Sequence, residues 1–148
     1  MNVYVKLNGG GAVDTVYGGP QPQDSSVVEI ADSDARYVAW LAAGTVQAAY
    51  AAAIQAGLAI TSSGSPAISG TYGIATTDLL AMTAMQLAVE AGKPLPAAYW
   101  DSKGNHGAFT APQVTNIADA IFNYEALLVA WVSGGGVGTQ PAASATIA

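Results

Sequence analysis

Residues 35 to 57 read ARYVAWLAAGTVQAAYAAAIQAG, and this stretch decides the fold class. Alanine is the strongest helix former, and Tyr37, Val38, Leu41, Val46, Tyr50 and Ile54 interrupt it at helical spacings. Asp32-Ser33-Asp34 supplies helix-start chemistry just ahead of it. Gly57 is the expected C-cap. The reading is one helix from Ala35 to about Ala56, with Gly44-Thr45 as a point where it could divide. Its small side chains suit either simple helix filler or a closely packed helix interface.

Charge sets this stretch apart. Past Arg36 the next charged residue is Asp78, so positions 37 to 77 carry none. The whole 148-residue chain is 51% hydrophobic and only 9% charged, against a usual share of roughly 25%. A helix this apolar spans a bilayer, is buried in its own domain, or is buried by other chains. A span fits by length. Gln47, Gln55, the alanine content and the missing basic flank argue against it, so no membrane span is expected. Burial by other chains is preferred, because charge is scarce throughout and interface cores are depleted in charge.

Upstream, Val3 to Leu7 and Val13 to Tyr17 flank Asn8-Gly9-Gly10-Gly11, a hairpin signal. Val27 to Ile30 is a third short strand after a Gly/Pro/Gln loop. Downstream, Leu58 to Ser62 and Ile68 to Ile74 form strands about a turn at Ser63 to Pro66. A helix runs from Leu79 to about Ala91, apolar on more than one face, with Met82 and Met85 expected in the core. Ala97 to Asp101 and His106 to Phe109 make a second hairpin about Ser102 to Asn105.

Thr110-Ala111-Pro112-Gln113 then has capping-box spacing with proline in the first turn. The helix behind it carries Val114, Ile117, Ile121, Tyr124, Leu128 and Trp131 at intervals of 3, 4, 3, 4 and 3. This is a heptad seam. It either packs on its own domain or meets a homo-oligomer axis. With Tyr50 and Ile54, these six are the interface candidates. The glycine-rich run from Gly134 reads as a linker and the end as a flexible tail, which if ordered would need another chain to lie on.

The fold class is therefore α+β. It has a small N-terminal β unit (1–32), a connecting Ala-rich helix (33–57), a C-terminal domain of two hairpins and two helices (58–133), and a flexible tail (134–148).

Reactive chemistry finds little support. No cysteine is present, which excludes thiolate sites and cysteine nucleophiles. Four basic against ten acidic residues, a net charge of −6, argues against nucleic-acid partners. His106 is the one histidine, and Asp101 lies across a turn from it. An Asp–His pair begins many acid–base devices, but a turn histidine bonded to its surroundings is the plainer reading. Asp32-x-Asp34 near Glu29 lacks the further ligands of a calcium loop. Nothing brings Glu90 and Glu125 together as a glycosidase pair. Gly9 to Gly11 and Gly70 to Gly73 fail the context of a phosphate loop, and no Gly-x-Ser-x-Gly occurs. No catalytic, metal or cofactor residue is assigned and no enzyme is expected. Seven tyrosines, three tryptophans and two phenylalanines are expected mostly in the core. Exposed ones would be interface anchors or a glycan platform.

The run Ile60-Thr61-Ser62, Pro66 to Tyr72, Trp100-Asp101, Gly104, Phe109-Thr110, Gln113, Ala120-Ile121, Tyr124 and Leu127 resembles a small uncharacterised domain of phage and prophage proteins. That domain is associated with tail-fibre and tail-fibre-assembly proteins. Tyr4 to Asn8, Val28 to Ile30 and Asp34 to Tyr37 resemble its β-rich head, so the likeness covers about residues 1 to 131. In the family pattern the histidine stands nearer the Phe-Thr pair, and here His106 is one place early. The resemblance implies a phage tail accessory protein. It would be either a virion component contacting a fibre or baseplate protein, or an assembly chaperone. A homo-oligomer is expected on composition. The start reads as a strand, not a secretory leader, so synthesis in the host cytoplasm and residence in the virion tail are the expectation.

Overall fold

The structure is a computed structural model that describes residues 1–65 and 67–148. Part of the turn expected at Ser63 to Pro66 therefore lies outside the described residues. The chain divides into two compact units, Met1–Ala48 and Ala49–Ala148. The class is α+β, with the expected small β unit, Ala-rich helix, two hairpins and two later helices.

In the first unit, β1 (Asn2–Leu7) is the central strand between β2 (Val13–Tyr17) and β3 (Val27–Ala31), in the order β2-β1-β3, with both pairings antiparallel. Val5 faces Val16 on one side and Val28 on the other. The β1–β2 turn is held by the Asn8 carboxamide, whose Oδ1 accepts from Gly10 N (3.0 Å) and Ala12 N (3.1 Å). Val5, Val13 and Ile30 are buried, with Val3, Leu7, Val16 and Tyr37 packed against them. A sheet this small has a limited core.

Helix α1 (Ala35–Ala56) runs unbroken through Gly44-Thr45, and the unit boundary falls within it. Asp34 Oδ1 accepts from the Arg36 amide (2.9 Å) at its start. The Arg36 guanidinium and amide hold the Asp34 carboxyl at a pKa of about 2. At the other end Gly57 has φ +80° and donates to the Ala53 carbonyl at 3.0 Å. A Cβ there would overlap the Tyr72 carbonyl, so glycine is required both for the left-handed turn and for space.

In the second unit, β4 (Leu58–Ser62) is central, pairing antiparallel with β5 (Gly70–Tyr72) and parallel with β8 (Ser144–Ile147). Helices α2 (Thr76–Glu90) and α3 (Ala111–Ser133) pack on each other. The short hairpin β6 (Trp100–Asp101) and β7 (Gly104–Asn105) precedes α3. Its return begins at Gly104 instead of His106, because Asp101 folds the turn back within two residues. Thr110 N donates to Gln113 Oε1 at 2.9 Å, as the capping spacing predicts. Leu58, Ile60, Tyr72, Ile74 and Met82 form the core with the inner face of α3, and Met85 is also buried.

Two expectations change here. The tail from 134 to 148 is not a free linker. Gly135 N and Gly136 N return to Val132 and Trp131 carbonyls and close α3 in a glycine-terminated turn. The chain then reaches β4, where Ala59 N donates to Ala143 O and Ser63 N to Ile147 O. Ala145 and Ile147 alternate toward the core of the same unit, so the segment lies on its own chain, not on another. The physical reason is that β4 needs a partner on its second edge and β8 supplies a two-residue apolar alternation.

The second change concerns the heptad seam. Val114, Ile117, Ile121 and Leu128 are fully enclosed and Tyr124 nearly so, all within their own unit. The seam faces β4 and α2, so these residues pack at home and are not surface available to a neighbour. Trp131 is half-buried. Tyr50 and Ile54 are half-buried against the same core.

Candidate functional site

Polar side chains gather at one place and apolar ones are exposed at another. The first is the polar cluster around the β6–β7 hairpin. Asp101 has a fully buried side chain. Its Oδ1 accepts from Lys103 N (2.7 Å) and Gly104 N (3.2 Å), and its Oδ2 from Gly73 N (2.8 Å). His106 Nε2 lies 2.9 Å from Asp101 Oδ1, yet the ring N–H is not aimed along that line. The imidazole instead stacks on Tyr72 with centroids 4.2 Å apart and planes at 13°.

Asp78, also buried, stands at the start of α2. Its carboxylate accepts from Ser102 N (2.9 Å), Ser102 Oγ (2.7 Å) and Ala75 N (3.1 Å). A Cβ at Gly73 would overlap that carboxylate, so the chain just after β5 passes close only because the residue is glycine. Lys103 Nζ donates to the Gln55 carbonyl. Burial, then the Asp101 charge, pushes the Tyr72 hydroxyl up to about 12, and burial likewise pushes Tyr99 upward.

The two carboxylates accept mainly from backbone amides of the hairpin turn and of the segment after β5, with the Ser102 hydroxyl as a further donor to Asp78. That is the chemistry of a clasp holding the hairpin to α2 and β5, with Asp101 engaged on every side. Sequence pairing of Asp101 with His106 is met in space. What the sequence did not reveal is Asp78 and Ser102, which lie 24 residues apart along the chain. Among the described residues no three His, Cys, Asp or Glu side chains gather as a metal-holding group.

The second place is the outer surface of α1. Among its residues only Ala53 is buried. Val38 is 50% exposed, Leu41 45% and Trp40 38%. Trp40 and Tyr37 stack with centroids 6.3 Å apart. In the first unit Ala12, Val13, Ala35, Ala39, Trp40 and Ala43, with Arg36, line a cleft of about 470 Å³. The Arg36 guanidinium is paired with Asp34 at 2.8 Å, which neutralises the one cation at its rim.

Apolar exposure continues elsewhere. Leu80 and Leu87 on α2, Leu127 and Val129 on α3, and Trp100 on β6 are exposed. Trp100 and Trp40 therefore depart from the core position expected of the tryptophans, and α2 turns a leucine face outward. Of the interface candidates expected from the sequence, Val114, Ile117, Ile121, Tyr124 and Leu128 lie inside and Tyr50, Ile54 and Trp131 are half-buried, whereas on α1 the exposed large apolar residues are Val38, Trp40 and Leu41. The uncharged stretch was the available signal for them, since long-range burial fixed the other choice.

A different cleft, of about 400 Å³, lies between Asn116, Asp119, Asn123 and the residues of β8. It contains no histidine. Compared with family models, curated proteins and solved structures, the chain matches none.

Proposed function

We propose that the protein is a non-enzymatic accessory or structural component of a phage tail, associated with a fibre or baseplate protein and acting by burial against other protein chains. The observation that carries the burial reading is α1. It has 22 residues, no charged side chain beyond Arg36, and Ala53 as its one buried residue, with Val38, Trp40 and Leu41 each 38–50% exposed. A helix apolar on all sides is ordinarily enclosed. An uncovered apolar surface of this kind marks an interaction site.

The phage assignment rests on the sequence resemblance over residues 1 to 131. In support of a non-catalytic reading, the Asp101 and Asp78 carboxylates accept chiefly from backbone amides, which hold the hairpin in place. Residence in the virion follows from the same composition, which suits a subunit with covered faces.

Quantitative mass spectrometry of purified particles is the test. A stoichiometric amount of the chain supports a virion component. Its absence from particles, with capture on fibre protein in infected cells, replaces that reading with an assembly chaperone. Absence from both overturns the tail assignment. A second reading, glycan binding, draws on the exposed Trp100 indole. A tryptophan fluorescence titration with host surface glycans supports it only if Trp100→Ala removes the response.

A further inference from the structure

We infer that the free edge of β8, with the polar flank of α3 beside it, binds an extended basic peptide segment of a partner protein, which adds to the sheet as a further strand. This deepens the reading above, on which it rests, by naming where a partner chain docks and what chemistry it brings.

β8 is an outer strand of the sheet β5-β4-β8. It pairs parallel with β4, from Ala59 opposite Ser144 to Ser62 opposite Ile147. The Ala143 and Ile147 carbonyls accept from Ala59 N and Ser63 N. In a parallel ladder alternate residues turn their backbone groups to one neighbour. Ala143, Ala145 and Ile147 therefore serve β4, and the N–H and C=O of Ser144 and Thr146 point away from it. Among the described residues those outward groups have no hydrogen-bond partner, and both residues are exposed.

Free edges are ordinarily blunted by charge, proline or a bulge. The edge strands of the first sheet, β2 and β3, carry Asp14 and Glu29. Just beyond β5, Gly73 N is tied to Asp101 of the hairpin at 2.8 Å. β8 reads Ser-Ala-Thr-Ile and has neither charge nor proline.

The cleft of about 400 Å³ lies along this strand, between Ala145 to Ala148 and Asn116, Asp119, Ala120 and Asn123 of α3. Both walls belong to the second unit. The helix rises about 10 Å from Asn116 to Asn123 and the strand spans about 13 Å from Ser144 to Ile147, so one short extended segment meets both. A sheet edge of this kind takes an added strand through main-chain hydrogen bonds, and flanking side chains supply the specificity.

The occupant follows from the chemistry of the two walls. N–H and C=O groups repeating at strand spacing are matched by an extended polypeptide backbone. Asp119 is exposed and has no ion-pair or hydrogen-bond partner among the described residues. α3 and β8 contain no Lys or Arg. A Lys or Arg on the incoming segment is the complement of that carboxylate, and the net charge of −6 steers a basic segment the same way. A second copy is a poorer occupant, because pairing β8 with β8 brings another Asp119 and no cation to the groove.

The experiment selects ligands for the full chain from a displayed library of random short peptides and measures the most enriched one by fluorescence anisotropy. Enriched peptides are expected to carry Lys or Arg within a β-branched run. Thr146→Pro removes one outward N–H that β4 does not use, which an edge strand tolerates. It is expected to weaken binding at least about tenfold with little change in melting temperature. Asp119→Lys, at an exposed helix position, is expected to weaken the basic peptide about fivefold or more, and it serves as the test should the proline variant fail to fold. Amide exchange followed by NMR is expected to show Ser144 and Thr146 gaining protection when the peptide is added. A library that yields no ligand overturns the proposal, as do enriched peptides without basic residues or protection gained elsewhere, such as on α1. A dimer by light scattering, with Ser144 and Thr146 protected in the peptide-free chain, overturns it in favour of a second copy. Detection of the chain in purified particles is independent of all these outcomes, so the groove can fail while the tail reading stands.

Discussion

Asp101 shows how one side chain sets local structure. Three backbone amides, of Gly73, Lys103 and Gly104, donate to a carboxylate with no solvent exposure. Asp101→Ala leaves those donors unmet, and each buried unmet donor costs about 1–3 kcal/mol. The expected loss in a urea titration is at least about 2 kcal/mol, with the midpoint falling accordingly. Gly57→Ala should be comparably harmful, because its Cβ meets the Tyr72 carbonyl at a φ of +80°. Tyr72 gives a pH signature. Its hydroxyl titrates near 10 unfolded and about 12 folded, so the folded chain holds that proton longer. The stabilisation is complete below pH 10 and is lost as pH rises through 12, on the order of 2 kcal/mol. Melting temperatures measured from pH 9 to 12 should fall across that window. A flat profile would refute the assignment.

Among the elements, α3 and β8 differ most from a reading of sequence alone. The α3 spacing of 3 and 4 was legible, and so was its capping box. Which body the seam meets was not, because a heptad pattern describes a stripe and says nothing of its partner. Val114, Ile117, Ile121 and Leu128 have no solvent contact within their own unit. Leu128→Asp should therefore unfold the second unit, since an unpaired buried carboxylate costs several kcal/mol. Loss of the far-ultraviolet signal checks this, and a folded Leu128→Asp chain would refute the burial. The composition of β8 is small and polar, which on its own reads as a tail. Its strand character comes from β4, more than 80 residues earlier, through pairs such as Ile60 with Ala145. Deleting residues 140 to 148 should expose the β4 edge and promote aggregation, visible as light scattering on mild warming.

For the whole molecule, the two units differ in the size of their cores. Val5, Val13 and Ile30 are the buried apolar residues of the first, whereas the second buries two helices against a sheet. Amides of β1 to β3 should exchange with solvent faster than those of β4 and the middle of α3. Hydrogen exchange followed by mass spectrometry resolves this, and equal protection would contradict it. The scarcity of charge also acts at this scale. It leaves Leu80, Leu87 and Leu127 on the surface together with the face of α1.

The sequence by itself determined the α+β class, the bounds of α1, the Gly57 stop, the hairpins and the α3 cap. Each of these is set by dihedral preference, side-chain spacing or a capping group acting within a few residues. Only tertiary structure decided that the α3 seam turns inward, that the tail becomes a strand, that Asp78 and Ser102 join the clasp, and that α1 stays outside. Those outcomes depend on contacts between segments far apart in the chain, where burial is won by whichever surface the topology brings near.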